Sequence, residues 1–160
     1  MKVIGIIAVT LAVMFVRSEL LGYRRYRTSL REDFYRLAVH IRREIGCFLR
    51  TPTEIAVNFE SAALMKCGFL ERARSCGDFF CALNECDAAR FLSPEEMSAL
   101  KDMFASLGKG YMQDEIKLVD DACQRLSLLL AKGRESDERE LKLVNTVCAS
   151  LTFGFVVLII

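Results

Sequence analysis

The sequence predicts an all-α protein: an antiparallel bundle of five or six helices, flanked by N- and C-terminal transmembrane helices. Three observations predict it. Apolar residues recur at three-and-four spacing through the middle of the chain, and no strand-like alternation survives inspection. Two Ser/Thr-Pro-x-Glu helix starts, Thr51-Pro52-Thr53-Glu54 and Ser93-Pro94-Glu95-Glu96, punctuate that middle, together with glycine stops. Finally, the 160-residue chain is uncharged over residues 3–16 and again over 143–160, and every acidic residue lies between the two runs. The hydrophobic total of 52% therefore overstates the core, because both ends inflate it. The expected organisation is an N-terminal transmembrane helix over 1–22, a helical bundle over 23–140 and a C-terminal transmembrane helix over 141–160, the bundle being of ordinary domain size.

The elements follow in order. From 31 to 49, Phe34, Leu37, Ala38, Ile41, Ile45, Phe48 and Leu49 form one helix face, with Arg36, Arg42, Arg43 and Glu44 between them. No proline separates this helix from the first apolar run, so it should continue upstream. Thr51 is a good N-cap, Pro52 suits the first helical position, and Glu54 can close a capping box. That start predicts a helix from Pro52 to about Lys66, burying Ile55, Phe59, Ala62 and Ala63. Gly68 ends or bends it. A turn or two follows over 69–74, Gly77 breaks the chain, and Asp78 caps a short helix through Cys86. The second start, Ser93, Pro94 and Glu96, opens a helix with the stripe Met97, Leu100, Phe104 and Leu107, stopped at Gly108. After Gly110, Met112, Ile116, Val119, Cys123, Leu126 and Leu130 make a seam suited to a bundle. The charged stretch 131–140 holds no proline, so this helix should run on into the terminal span, with Gly133 as a place to bend.

As a helix, residues 143–160 extend about 27 Å, close to the roughly 30 Å hydrocarbon core of a bilayer. The polar residues there, Asn145, Thr146, Ser150 and Thr152, all fall early in the run. A buried core helix is the competing reading. Residues 3–16 extend about 21 Å, short for a span, but Lys2 and Arg17 can snorkel, and Leu20, Leu21 and Tyr23 lengthen the interfacial end. A cleaved signal peptide competes here. The exit Met14-Phe15-Val16-Arg17 is bulky and charged where small residues are wanted, which favours an uncleaved anchor. Arg17, Arg24, Arg25, Arg27 and Arg31 follow the first run, and Lys132, Arg134, Arg139 and Lys142 precede the second. The positive-inside rule predicts a two-pass protein of the cell membrane with its central domain in the cytoplasm and both ends across the membrane. Residues 17–50 carry nine Arg against four acids, and 51–142 carry twelve basic residues against seventeen acids. Anionic lipid favours the first stretch. In the second, the acids of 111–140 are a candidate protein-docking face, with a plain solvated surface as the alternative.

Chemistry-bearing patterns are sparse. The seven cysteines, Cys47, Cys67, Cys76, Cys81, Cys86, Cys123 and Cys148, are odd in number and scattered through helical patterns, which suggests reduced thiols. The run Cys76, Cys81, Cys86 sits at the wide limit of zinc spacing, but helical steps of five rotate each side chain by about 140°, and small buried thiols are the expected reading. The single histidine, His40, has no catalytic neighbours in sequence. Gly108-Lys109-Gly110 lacks the Walker spacing. Asp120-Asp121 and Glu95-Glu96 are sequence neighbours, and so lie on different helix faces. Tyr23-Arg24-Arg25-Tyr26-Arg27 suits interfacial anchoring better than nucleic-acid binding. The expectation is a chain with no catalytic, cofactor-binding or metal-binding residues and no nucleic-acid partner. Its distinctive positions are the structural turns and caps Thr51, Pro52, Glu54, Ser93, Pro94, Glu96, Gly108 and Gly110.

This layout resembles the stage III sporulation protein AB family. Arg42-Arg43-Glu44-Ile45 leading to Phe48-Leu49-Arg50-Thr51-Pro52-Thr53-Glu54-Ile55 looks like the family's "EI…TP…E" segment between its first two helices. Phe104-Ala105-Ser106-Leu107-Gly108 looks like its "L..LG" stop before the last long helix. The order and spacing of these structural motifs carry the resemblance, which covers nearly the whole chain. One departure is that Tyr111 and Glu115 stand where the family has an Asp and then a Gln. The resemblance implies a soluble domain similar to the cytoplasmic domains of the platform protein of type II secretion and type IV pilus machines. It implies a non-catalytic adaptor in the complex that links mother cell to forespore during endospore formation. The implied partners are the complex's secretion-type ATPase, stage III sporulation protein AA, other membrane components of that complex, and the lipid bilayer. A platform fragment of another secretion or pilus system is the alternative, and a membrane-anchored enzyme a further one.

Overall fold

The structure, a computed structural model, describes residues 2–48, 50–108 and 112–159, with side chains for 11–46, 50–108, 113–147, 149, 150 and 154. Among the described residues there are seven α-helices, one short 3-10 turn and no strand. The helices are α1 (Lys2–Phe48), α2 (Pro52–Asn58), α3 (Ala62–Lys66), α4 (Phe69–Cys76), α5 (Phe79–Glu85), α6 (Pro94–Ser106) and α7 (Met112–Ile159), with the 3-10 turn at Asp87–Arg90 between α5 and α6. The chain divides into two compact units, one of Arg27–Ala131, the other of Met1–Tyr26 with Lys132–Ile160.

The unit Arg27–Ala131 holds the core. On α1, Leu30, Phe34, Leu37, Ala38, Ile41 and Ile45 are buried, a three-and-four stripe that one helical face accounts for. The side chain of Phe48 and all of Leu49 lie outside the described residues. An aromatic cluster knits α1, α4, α5 and α6 together. Phe34 meets Phe69 edge-on with ring centroids 5.1 Å apart, Phe69 lies 6.0 Å from Phe79 and 5.7 Å from Phe104, and Phe79 and Phe104 are 5.3 Å apart. Such pairs contribute about 0.5–1.5 kcal/mol beyond the area they bury. On α6, Ala99, Leu100, Met103 and Phe104 are buried, while Met97 and Leu107 of the expected stripe are half-buried. On α7, Val119, Ala122 and Leu126 are buried; Ile116, Cys123 and Leu130 sit half-buried on the shoulders of that stripe, and the side chain of Met112 lies outside the described residues.

One expected helix is two. The single helix predicted from Pro52 to about Lys66 ends at Asn58, Phe59 is extended at φ −99° and ψ 129°, and α3 restarts behind Ser61. Four polar contacts stabilise the break. The Ser61 hydroxyl accepts from the Leu64 N–H at 3.0 Å and donates to the buried Asp33 carboxylate at 2.7 Å. Arg74 donates through Nε to the Ala56 carbonyl and through Nη2 to the Phe59 carbonyl, both at 3.0 Å, so it takes up carbonyls that a helix end leaves without partners. Phe59 remains buried as expected, whereas Ala62 is exposed.

The unit Met1–Tyr26 with Lys132–Ile160 comprises the outer lengths of α1 and α7. Not one of its described side chains is buried, and Leu11, Met14, Phe15, Val16, Leu143 and Val147 are all exposed. Arg24 joins its two segments, donating to the Glu140 carboxylate at 2.8 Å and to the Asp137 carbonyl at 3.4 Å. Among the described residues no helix is long and apolar enough to cross a membrane. Much of both expected spans, including the side chains of 2–10, 151–153 and 155–159, lies outside the described residues.

Candidate functional site

The two helix starts read alike in sequence and are built alike locally. Thr51 N–H donates to Glu54 Oε2 at 2.9 Å while Glu54 N–H donates to Thr51 Oγ1 at 3.4 Å. Ser93 N–H donates to Glu96 Oε2 at 2.7 Å while Glu96 N–H donates to Ser93 Oγ at 3.2 Å. Pro52 and Pro94 open the respective helices. The surroundings then separate them. Glu54 is exposed, and the backbone and hydroxyl of Thr51 hold its carboxyl below the usual range. Glu96 is 4% exposed and also receives Arg31 Nε, 3.0 Å from Oε1 and 3.2 Å from Oε2. One carboxylate thus caps α6 and neutralises a buried guanidinium of α1, satisfying the demand that a buried charge be paired. Gly108, at φ +75°, provides the left-handed turn after α6. Gly110, like Lys109 and Tyr111, lies outside the described residues.

Further polar contacts hold α1 in one register. Arg27 Nε donates to the Phe91 carbonyl at 3.0 Å. Asp33 accepts from Ser61 at 2.7 Å and from Arg36 at 2.9 Å. Arg42 pairs with Asp120 of α7, one hydrogen bond measuring 3.2 Å. Arg50 reaches the buried Glu44 at 3.0 Å. Sequence reasoning treated these arginines as a membrane-proximal charge excess and missed Arg27, Arg31 and Arg74 as internal ties. The only signal in the sequence was the buried stripe itself, which places Arg27 and Arg31 one turn from Leu30 and Phe34.

Two open hollows mark the surface of this unit. One, of about 410 Å³, is lined by Tyr35, Arg36, Val39, His40 and Arg43 of α1 with Phe59. It is basic and aromatic, with the Arg36 and Arg43 side chains each 65% exposed. His40 packs against Phe59 with ring centroids 5.4 Å apart, and its Nε2 has no hydrogen-bond partner among the described residues. Burial depresses its pKa, Glu44 opposes that, and Arg43 and Arg50 add to it, so the ring favours the neutral form. The other hollow, about 560 Å³, lies between α6 and α7 and is mainly apolar, with Pro94, Ala99, Leu128 and Leu129 framed by Glu95 and Arg125. Leu128 is 71% exposed there.

The acidic face expected over 111–140 is partly engaged within the molecule. Asp120 is tied to Arg42, Glu135 to Arg139 at 2.6 Å and Glu140 to Arg24. Asp114, Asp121 and Glu138 remain exposed. The cysteine run also differs from the expected set of buried thiols: Cys86 is buried, Cys81 is half-exposed and Cys76 is exposed. Cys76 is the last residue of α4 and Cys81 the third of α5, on the side of the helix away from the buried Phe79, Ala82 and Leu83. No group of three or more His, Cys, Asp or Glu suited to a metal occurs among the described residues. Comparison with family models, with curated proteins and with solved structures finds no match.

Proposed function

We propose that this chain is a non-catalytic platform or adaptor of a membrane complex, with the unit Arg27–Ala131 presented to a cytoplasmic partner and the ends of α1 and α7 in the lipid. The observation that carries the reading is the pair of very long helices. Each contributes a buried stripe to the core unit, and each continues into a length where Leu11, Phe15 and Val16, or Leu143 and Val147, are exposed. Exposed apolar residues in that number mark contact with lipid or protein, and the uncharged runs beyond them suit a bilayer. A helix continuous from core to membrane also suits transmission of a tilt or rotation. The resemblance to the stage III sporulation protein AB family supplies the finer proposal. In it the partner is the secretion-type ATPase, stage III sporulation protein AA, and the setting is the mother cell to forespore channel, with the domain in the mother-cell cytoplasm.

Fractionation of cells expressing the full chain tests the membrane part: it should resist alkaline carbonate and be released by detergent, and recovery in the aqueous fraction without detergent refutes it. Protease added outside intact cells should spare residues 27–131. Co-purification tests the partner. The ATPase should be retained by the full chain, and more weakly once Asp114, Asp121 and Glu138 are replaced by Lys; retention unaffected by those changes removes this docking face. A platform fragment of another secretion or pilus system fits the same geometry, and the neighbouring genes separate the two.

A further inference from the structure

Two outer stripes of the unit Arg27–Ala131 have complementary chemistry. On α1 the stripe is Glu32, Arg36, Val39 and Arg43; on α7 it is Asp114, Leu118, Asp121 and Arg125. Both step by four, three and four residues, which keeps side chains on one face of a helix, and each runs about 16 Å from end to end. Neither stripe is used by the core: Glu32 is half-buried and the other seven residues are exposed. Inside the molecule the two helices meet on other sides, where Arg42 pairs with Asp120 and where Val119, Ala122 and Leu126 are buried.

Laid antiparallel, the stripes match at every position. Arg43 falls opposite Asp114, Val39 opposite Leu118, Arg36 opposite Asp121 and Glu32 opposite Arg125. Laid parallel, Glu32 falls on Asp114 and Arg43 on Arg125, and like charges meet; flanking charges of this kind set the orientation of paired helices. The centre is apolar on both sides. Val39 is 42% exposed beside His40 and Phe59 in the basic hollow, and Leu118 is 46% exposed between its two aspartates. Arg43 Nη2 lies 3.1 Å from His40 Nδ1. A guanidinium can only donate, so Nδ1 accepts, the ring is neutral, and the floor between Arg36 and Arg43 carries no charge. Asp33 is 2.9 Å from Arg36 and Glu44 is 3.2 Å from Arg43, yet these carboxylates are only 12% and 3% exposed. The two cations therefore stand outermost, with N–H donors to spare. Arg125 has Asp102 at 4.0 Å and is itself 66% exposed.

We propose that the α1 stripe of one copy of this chain binds the α7 stripe of a second copy, antiparallel, with Leu118 seated in the hollow between Arg36 and Arg43. The inference goes beyond the platform reading and does not rest on it. Matched spacing and charge complementarity single out the second copy as the occupant. An apolar centre rimmed by charge pairs is the ordinary plan of a protein interface. So short a contact binds weakly and gains strength when copies are held close together. Each copy carries both stripes, and a closed pair or a ring satisfies them all. Asp114 and Asp121 also belong to the proposed ATPase face, so a second copy and the ATPase compete for them.

The test uses the full chain alone, in non-ionic detergent, with the photoreactive p-benzoylphenylalanine in place of Leu118. Irradiation should join two copies in a product that survives reduction. Trypsin releases residues 37–42 as one peptide, and the adduct should be found there or on the peptide that carries Phe59. Introduced into every copy, Arg36→Glu/Arg43→Glu should abolish the product, and so should Asp114→Arg/Asp121→Arg. Mixing the two variants, with the probe carried only by the Asp114→Arg/Asp121→Arg chain, should restore it, because a reversed ridge then meets a reversed hollow. Absence of joined copies, an adduct on any other segment, a product that persists in either variant alone, or no recovery on mixing overturns the proposal. No ATPase is present, so each of these results is separate from the outcome of the co-purification.

Discussion

The same helix behaves in two ways along its length. On α1 after Arg27, every third or fourth residue from Leu30 to Ile45 is buried; before it, Leu11, Met14, Phe15 and Val16 are as apolar and are exposed. α7 repeats the contrast, with Val119, Ala122 and Leu126 inside and Leu143 and Val147 outside. Helical periodicity is common to both lengths. The difference is whether charged residues share the helix with the apolar ones. Where Arg36, Arg42 and Arg43 occupy the far side, one face is left to pack and the helix belongs to a core. Where no charge is present, the helix has no polar side to turn to water, and its cover must come from lipid or another chain.

That contrast can be broken most strongly inside the core. Phe69→Ala empties the centre of the aromatic cluster and should lower unfolding stability by about 3–5 kcal/mol, whereas Phe15→Ala should leave the denaturant midpoint nearly unchanged. Equal losses from the two would mean that the outer length of α1 is packed as well. Next come the twin capping boxes. Glu96→Ala removes a charged partner of the buried Arg31 as well as a cap, a loss of about 3 kcal/mol; Glu54→Ala removes a cap alone and should cost distinctly less. Thermal melts of the two variants decide this, and equal shifts would show that the Arg31 pair adds nothing net. Third, Gly154→Arg places a charge in the terminal run, at a position where an added Cβ meets nothing within 4 Å beyond its own stretch of helix. It should oppose membrane insertion by about 2.5–3.5 kcal/mol and shift the chain toward the soluble fraction. An unchanged membrane fraction would sink the C-terminal span.

The smallest effect is expected from His40. Burial holds its folded-state pKa below the ordinary value of 6.5, so the unfolded chain takes up the proton first. Its contribution is fully present above pH 6.5 and is lost as pH falls through the folded pKa. Melting temperature should therefore decline slightly more steeply on acidification in the natural chain than in His40→Gln, and parallel profiles would place the ring in solvent.

Much of this fold was legible. A Thr or Ser followed by Pro and then Glu is a local chemical device: the caps, the fixed φ of proline and the reciprocal hydrogen bonds involve only residues within one turn. Both helix starts, the Gly108 stop, the Asp78 cap and the stripe Phe34, Leu37, Ala38, Ile41 could be read for that reason. The break at Phe59 could not. Its carbonyls are taken by Arg74, and the Ser61 cap is anchored to Asp33 on another helix, neither of which is near in sequence. Nor could sequence distinguish Glu54 from Glu96, because the Arg31 that divides their roles approaches only when α1 and α6 pack.

The sequence alone determined where helices start, where they stop and which lengths carry no charge, since capping, backbone preference and hydropathy act over a few residues. Only the tertiary structure decided which charges are internal ties, where α2 yields to α3 and which cysteines are buried. Those outcomes depend on groups tens of residues apart, whose partners are chosen by packing and by the cost of leaving a buried charge or carbonyl without one.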